Sequence, residues 1–443
     1  MIQPIYNYFE GRIEGCRVHD IMLDLLCQLA SEENFVTIMD VIKVETPFER
    51  KVRRLSIHKV DLRSTRLASS SISQVKSFTI FSHAINQMLP LSRFEVLRVL
   101  DLQDCNLEES GNLNLSCVGD LLHLRYLGLR DTKIHKIPTE IGKLLFLQTL
   151  DLQGVDGDAK DLPASIIWLR NMMFLYLNGY TYLPSGYRNL MSLRELREVN
   201  FTQDNDPEEF RYLTELRVLD ILLPSMYPPE KLLILFESLG RLHKIPSLCI
   251  LSLDKNIGNL VDWVPSSVQL RLLQLEGWYE TLPTRISSSS LPHLSHLIIS
   301  VHQVRLEDIQ VLGTLPVLRS VYLRSNYTIT TVEERATKRL FILSPDAFSR
   351  AIVCSFRNVL FAPYMFPRGA MPMIQELQFG LLVSDILSGG GDWDLCIRNF
   401  PSLKSFVIKL HGEEERSKRH SEAMTAVMRV ATDHPNHPRA YCF

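Results

Sequence analysis

The sequence predicts an α/β solenoid, a stack of short coils whose parallel strands line one face. A leucine spelling, LxxLxL, returns along most of the chain. Its copies recur at a period of roughly 20–29 residues, the signature of a stacked repeat. Inside each copy, apolar and polar residues alternate with the period of a strand, which sends them to opposite faces of a sheet.

The ladders run Leu97, Leu100, Leu102; Leu124, Leu127, Leu129; and Leu147, Leu150, Leu152. They continue at Leu216, Leu219, Ile221; Leu248, Leu251, Leu253; Leu270, Leu273, Leu275; Leu294, Leu297, Ile299; and Leu318, Val321, Leu323. First leucines at 97, 124 and 147 give intervals of 27 and 23 residues, and those at 270, 294 and 318 give 24 and 24. This spelling at this period is the leucine-rich repeat. One coil cannot bury its own apolar edge, so neighbours must stack into a continuous core. The expected form is a horseshoe with parallel strands on the concave face. Between 216 and 248 the spacing widens to 32, with Pro224, Pro228 and Pro229 inside it, and the sequence predicts a loop there. After Leu323 clear ladders return only at Ile374, Leu377, Phe379 and Leu403, Phe406, Ile408; the 325–370 stretch is expected to hide degenerate copies, one of them around Phe356.

Strand alternation also predicts which residues face outward. They are Val99, Asp101, Gln103; Tyr126, Gly128, Arg130; Thr149, Asp151, Gln153; and Phe174, Tyr176, Asn178, on a ladder where Met172 replaces the first leucine. Farther on come Leu272, Gln274, Glu276 and Ser320, Tyr322, Arg324. Aromatics and Arg are enriched where interfaces concentrate their binding energy. Tyr126, Arg130, Phe174, Tyr176, Tyr322 and Arg324 are therefore the candidate partner-binding residues. The plainer reading is that they simply cover a polar sheet.

Composition narrows the function. With 443 residues, 46% hydrophobic and 22% charged, the chain holds more core material than one compact domain uses. Lys and Arg total 48 against 50 Asp and Glu. A net charge of −2 gives no bulk attraction to nucleic acid or to an anionic membrane. No apolar run approaches the roughly 20 residues that span a bilayer, and MIQPIYNYFEGRIEG is not a secretory signal. The cysteines lack metal spacing and suit a reducing, cytoplasmic setting. Cys16 and His19 have no second ligand pair, and no G-x-S-x-G elbow organises a nucleophile. No metal and no enzymatic activity are expected. His434 and His437, among prolines, read as a solvated tail.

Residues 1–50 stand apart from the repeats at 51–443. IMLDLLCQLA, residues 21–30, is predicted to be a helix capped by Asp20, preceded by a loop at Gly11 to Gly15 and followed by a short strand at residues 35–38. Glu45 to Arg54 marks the boundary.

The segment GCRVHDIMLDLLCQLASEENF resembles the carboxy-terminal edge of the nucleotide-binding region in plant disease-resistance proteins of the nucleotide-binding, leucine-rich-repeat family. Val18-His19-Asp20 is similar to that family's MHD motif, with Val in place of Met. VRRLSIH (52–58) and IPTEIGKLLFLQTLDLQG (137–154) look like its early repeats, and HPNHP (434–438) is similar to a tail of its cereal, coiled-coil members. The resemblance implies a short winged-helix-like remnant before the solenoid, with His19 contacting the terminal phosphate of ADP and Asp20 orienting the motif backbone. No G-x-x-x-x-G-K-[ST] loop is present, so no cofactor is expected for this polypeptide; ADP or ATP belongs to a full-length relative. The implied role is plant innate immunity: recognising a pathogen effector or a guarded host protein and, in full-length relatives, restraining the nucleotide switch. The alternative is a general repeat scaffold or adaptor, such as a substrate receptor for ubiquitin ligation.

Overall fold

A computed structural model describes residues 2–6, 13–33, 35–39, 52–57, 72–80, 90–107, 115–134, 136–155, 161–252, 263, 265, 267–326, 343–361, 365–388, 397–412 and 417–443. The chain forms two compact units, Met1–Pro224 and Ser225–Phe443. The boundary expected at Glu45 to Arg54 lies mostly outside the described residues.

The first unit begins with an antiparallel hairpin, β1 (Ile2–Tyr6) and β2 (Ile13–Val18). Gly15, expected in a loop, pairs with Ile5 inside this hairpin. Helix α1 (Asp20–Glu32) follows. Its first backbone bonds run from the N–H groups of Met22 and Leu23 to the carbonyl of His19, so His19 holds the capping position. Asp20 is one residue farther in, where its charge still favours the helix's positive end. Strand β3 (Thr37–Met39) sits two residues later than expected and pairs in parallel with β4 (Arg54–Ile57), so it already belongs to the repeat sheet.

From there the coils stack in chain order: β5 (Ser77–Ile80), β6 (Val99–Asp101), β7 (Tyr126–Gly128), β8 (Thr149–Asp151), β9 (Phe174–Tyr176), β10 (Glu195–Asn200) and β11 (Val218–Leu223). The central leucines of the ladders fall in one register, Leu100, Leu127, Leu150, Leu175, Leu196 and Leu219, and all are buried. The chain returns through 3₁₀ turns such as Thr139–Lys143 and Ala164–Trp168, each opened by a proline, Pro138 or Pro163. Proline suits that place because its φ is already set and its missing N–H has no partner to lose. Glycine lets the turns touch. A Cβ on Gly119 would come within 2.7 Å of Glu140 Cβ, and one on Gly142 within 2.8 Å of the Ser165 carbonyl.

In the second unit the strands are β12 (Ser247–Ser252), β13 (Leu272–Tyr279), β14 (His296–Val301), β15 (Ser320–Ser325), β16 (Val353–Leu360), β17 (Glu376–Leu382), β18 (Ser405–His411) and β19 (Arg439–Cys442), again parallel and in order. Its coils carry α-helices: α2 (Pro229–Leu239), α3 (Leu306–Gly313), α4 (Val383–Ser388) and α5 (Lys418–Asp433). The wider coils are filled by larger side chains. Phe348, Phe356, Phe361, Phe366, Phe379 and Phe400 form a branched cluster of rings, with contacting centroids 5.1–6.0 Å apart and both Phe379 and Phe400 against Phe366.

Several expectations are corrected here. The interval rich in proline holds α2, since Pro228 caps it and Pro229 is its first residue. The ladder after it begins three residues earlier than its leucines imply: Ile245, Leu248 and Ile250 are buried, and Leu248 pairs with Leu273. The degenerate copy around Phe356 is β16. The HPNHP segment is no solvated tail, because His434 is buried and β19 after it adds a strand to the sheet.

Leu127→Ala is expected to cost about 2–5 kcal/mol, as buried leucine truncations do, and Tyr126→Ala clearly less. Denaturant midpoints test this, and equal losses would contradict the register. Gly142→Ala is expected to cost about 1–3 kcal/mol, because the added methyl meets backbone that cannot yield.

Candidate recognition surface

Register turns the outward positions into rows. In the first unit one row runs Val99, Tyr126, Thr149, Phe174, Glu195, and the next runs Asp101, Gly128, Asp151, Tyr176, Arg197. Tyr126 and Gly128 share a face of one short strand. A Cβ at 128 would fall 2.7 Å from an Asp101 carboxylate oxygen and 2.9 Å from the Tyr126 hydroxyl, so the phenol ring lies across the glycine. Gly128 is therefore buried instead of exposed, and Tyr126 is half-buried.

That placement puts the Tyr126 hydroxyl between two carboxylates. Burial, then Asp101 and Asp151, push its phenol up to about 12, with Arg130 partly opposing. It stays protonated at neutral pH and presents a donor. Asp151 is itself buried, and burial raises its carboxyl despite a bond from the Gln153 N–H at 3.1 Å. Tyr176 donates to Glu195 at 3.3 Å, and the same carboxylate oxygen takes Arg197 at 3.2 Å. Arg197 also reaches Asp220 at 3.6 Å. Phe174 lies 6.4 Å from the Tyr176 ring. Arg130 pairs with Asp131 at 3.6 Å where both are about half exposed, an arrangement worth little to stability.

In the second unit Tyr322 pairs with Ser355 and Arg324 with Arg357 across adjacent strands. Arg324 is exposed and Tyr322 half-buried. A recess of about 360 Å³ opens beside Arg324, bounded by Arg357, Gln378 and Lys409. Leu272, expected outward, is buried; paired strands on both sides leave an apolar side chain there little exposure. Tyr126, Arg130, Phe174 and Tyr176 thus share the sheet of one unit, and Tyr322 and Arg324 that of the other.

His19 and Asp20 lie together at the exposed start of α1. One imidazole beside one carboxylate makes no cradle for a diphosphate, and Asp20 repels it. Among the described residues, this pair by itself does not fit a nucleotide. Among the described residues, no group of His, Cys, Asp and Glu is placed to hold a metal, and no helix is long and apolar enough to cross a membrane.

A family model described as a leucine-rich repeat region matches residues 74–440. The chain belongs to that family. Among curated relatives, Disease resistance protein RGA5 of Oryza sativa subsp. japonica is 29% identical over 397 residues, covering 85% of this chain and 34% of the relative. Disease resistance protein Pik-2 of the same organism is 26% identical over 362 residues, 72% of this chain and 35% of that one. The chain spans about a third of the length of these relatives. The resemblance read from Val18-His19-Asp20 and the early repeats stands: disease-resistance relatives cover most of the chain. A Leptospira interrogans leucine-rich-repeat protein superposes with a TM-score of 0.51 at 17% identity, over 85% of this chain and 88% of that one, which establishes the fold.

Sequence reasoning missed Arg357 and Lys409 for different reasons. Arg357 sits on a ladder spelled with Cys354 and Phe356, where the leucine signal is absent. Lys409 follows Ile408 on a visible ladder, and alternation alone marks it as outward.

Asp151 gives a pH test. Its carboxyl is raised in the folded state, so its contribution is full below the unfolded value and is lost as pH rises through the folded one. Asp151→Asn keeps the acceptor for Gln153 and removes the charge. The variant is expected to melt above the parent at neutral pH, with the gap closing toward about pH 4. A gap independent of pH would contradict the burial account.

Proposed function

We propose that this chain is the recognition region of a plant immunity protein, whose repeat sheet binds a pathogen effector or a guarded host protein in the cytoplasm. The observation that carries the reading is the aromatic group Tyr126, Phe174 and Tyr176, held half-buried on an open sheet face among paired charges. Such side chains cost little ordering entropy on binding, because packing has already fixed them. Arg130 extends the contact set of the first unit, and Tyr322 and Arg324 are the candidates on the second; outward residues of several coils serve a large partner better than a small substrate. The chain itself performs no chemical step. In a polypeptide that also carries a nucleotide-binding domain, the same region restrains the switch, with His19 toward the terminal phosphate and Asp20 holding the motif backbone.

The test is recovery of partners from plant extract with the parent and with Tyr126, Arg130, Phe174, Tyr176, Tyr322 and Arg324 all changed to Ala, after confirming a parent-like melting transition. Recovery is expected to fall severalfold. Unchanged recovery moves the site to the turns opposite the sheet, to α2, or to the amino-terminal segment.

A further inference from the structure

The recess in the second unit gathers three cations, Arg324, Arg357 and Lys409. Arg324 and Arg357 are directly paired across neighbouring parallel strands. Like charges facing each other across a sheet destabilise it. Lys409 approaches from β18, across Gly380 of β17, with which it pairs. Among the described residues neither Arg357 nor Lys409 has a carboxylate partner. Arg357 reaches the Gln378 amide oxygen at 3.5 Å, and Lys409 reaches that of Asn358 at 3.3 Å. The arginines central to the first unit's sheet differ, since Arg130 and Arg197 each lie beside carboxylates.

The floor is built by a backbone irregularity. Pairing of β16 with β17 shifts register between Ser355 and Leu360, and Asn358 adopts a left-handed φ of 59°. The Asn358 amide donates to the Ser325 carbonyl at 3.0 Å, which fixes its oxygen toward Lys409. At position 380 a Cβ would be crowded, within 2.8 Å of Leu360 Cδ2 and 3.0 Å of the Val359 carbonyl, and glycine avoids both contacts.

Resting on the reading of the sheet as a protein-recognition face, we infer that this recess receives an acidic segment of the protein partner, its carboxylates bridging Arg357 and Lys409 beside Arg324. Charge complementarity selects the occupant. Small-molecule pockets are mostly apolar and enclose their ligand; this one is open and rimmed by cations and amides. Arg guanidinium groups match carboxylates with paired hydrogen bonds, and Gln378 and Asn358 supply uncharged partners for the backbone between them.

The experiment uses the full chain and a labelled hexaglutamate peptide, followed by fluorescence anisotropy at low salt. Saturable binding is expected, weakening with added salt. Arg357→Glu and Lys409→Glu are each expected to weaken it roughly tenfold or more, because each removes a charge-assisted contact and adds a repulsion. If either reversal fails to show the parent's melting transition, Arg357→Gln or Lys409→Gln replaces it, with a smaller loss expected. Lys418→Glu, on the exposed start of α5, and Arg98→Glu, in a separate basic recess of the first unit, are expected to bind as the parent does. Absent binding, or a loss in Arg98→Glu as large as that in Arg357→Glu, overturns the assignment. So does saturable binding of inorganic tripolyphosphate at the recess without binding of the peptide, which would make the ligand a small phosphorylated molecule. Partner recovery from extract reads Tyr126, Phe174 and Tyr176 as well, so it can succeed while the peptide result fails.

Discussion

The structure depends on one constraint: no coil can bury its own apolar edge. Each leucine of the register Leu100, Leu127, Leu150, Leu175 is covered only because the coils on both sides place an apolar residue at the same height, Phe78 before Leu100 and leucines elsewhere. Hydrophobic burial then acts between neighbours, and stability is close to a sum of coil and nearest-neighbour contributions. The return path obeys the same condition. Where coils are short, 3₁₀ turns stack through Gly119 and Gly142; where they are long, helices and phenylalanines fill the extra space.

The same register that builds the core also orders the surface. When leucines align, outward residues two positions apart align as well, at the spacing of roughly 4.8 Å between strands. Tyr126 lies over Gly128 between Asp101 and Asp151 for this reason alone. Arg324 and Arg357 face each other for the same reason. The strands of each unit therefore make their own surface: in the first unit aromatics among paired charges, in the second a recess where Arg357 and Lys409 meet amides.

The fold was legible where the repeat was spelled in leucine and obscure where packing was met by other residues. The copies from Leu97 to Gln153 could be read directly, and so could the outward tyrosines, because alternation needs only the register. At Cys354 and Phe356, and again at Ala440 and Cys442, the inward positions accept any side chain of suitable volume, so no spelling marks those strands. Pro228 and Pro229 read as a loop, yet the start of a helix is where proline is tolerated. Leu251 looked inward because it was a leucine three places after another; Leu248 and Ile250 took the buried positions instead. The candidate surface was half legible. Sequence named Tyr126, Tyr176 and Arg324, but the partners that give them their chemistry, Glu195, Arg197 and Arg357, come from coils whose register only the structure supplies.

Stacking as the source of stability is tested most directly by hydrogen exchange on a protein carrying Leu150→Ala in β8. If coils are stable only through their neighbours, amides of β7 and β9 lose protection together with those of β8, and the loss fades with distance along the stack. Loss confined to β8, with β7 and β9 protected as in the parent, would contradict the account.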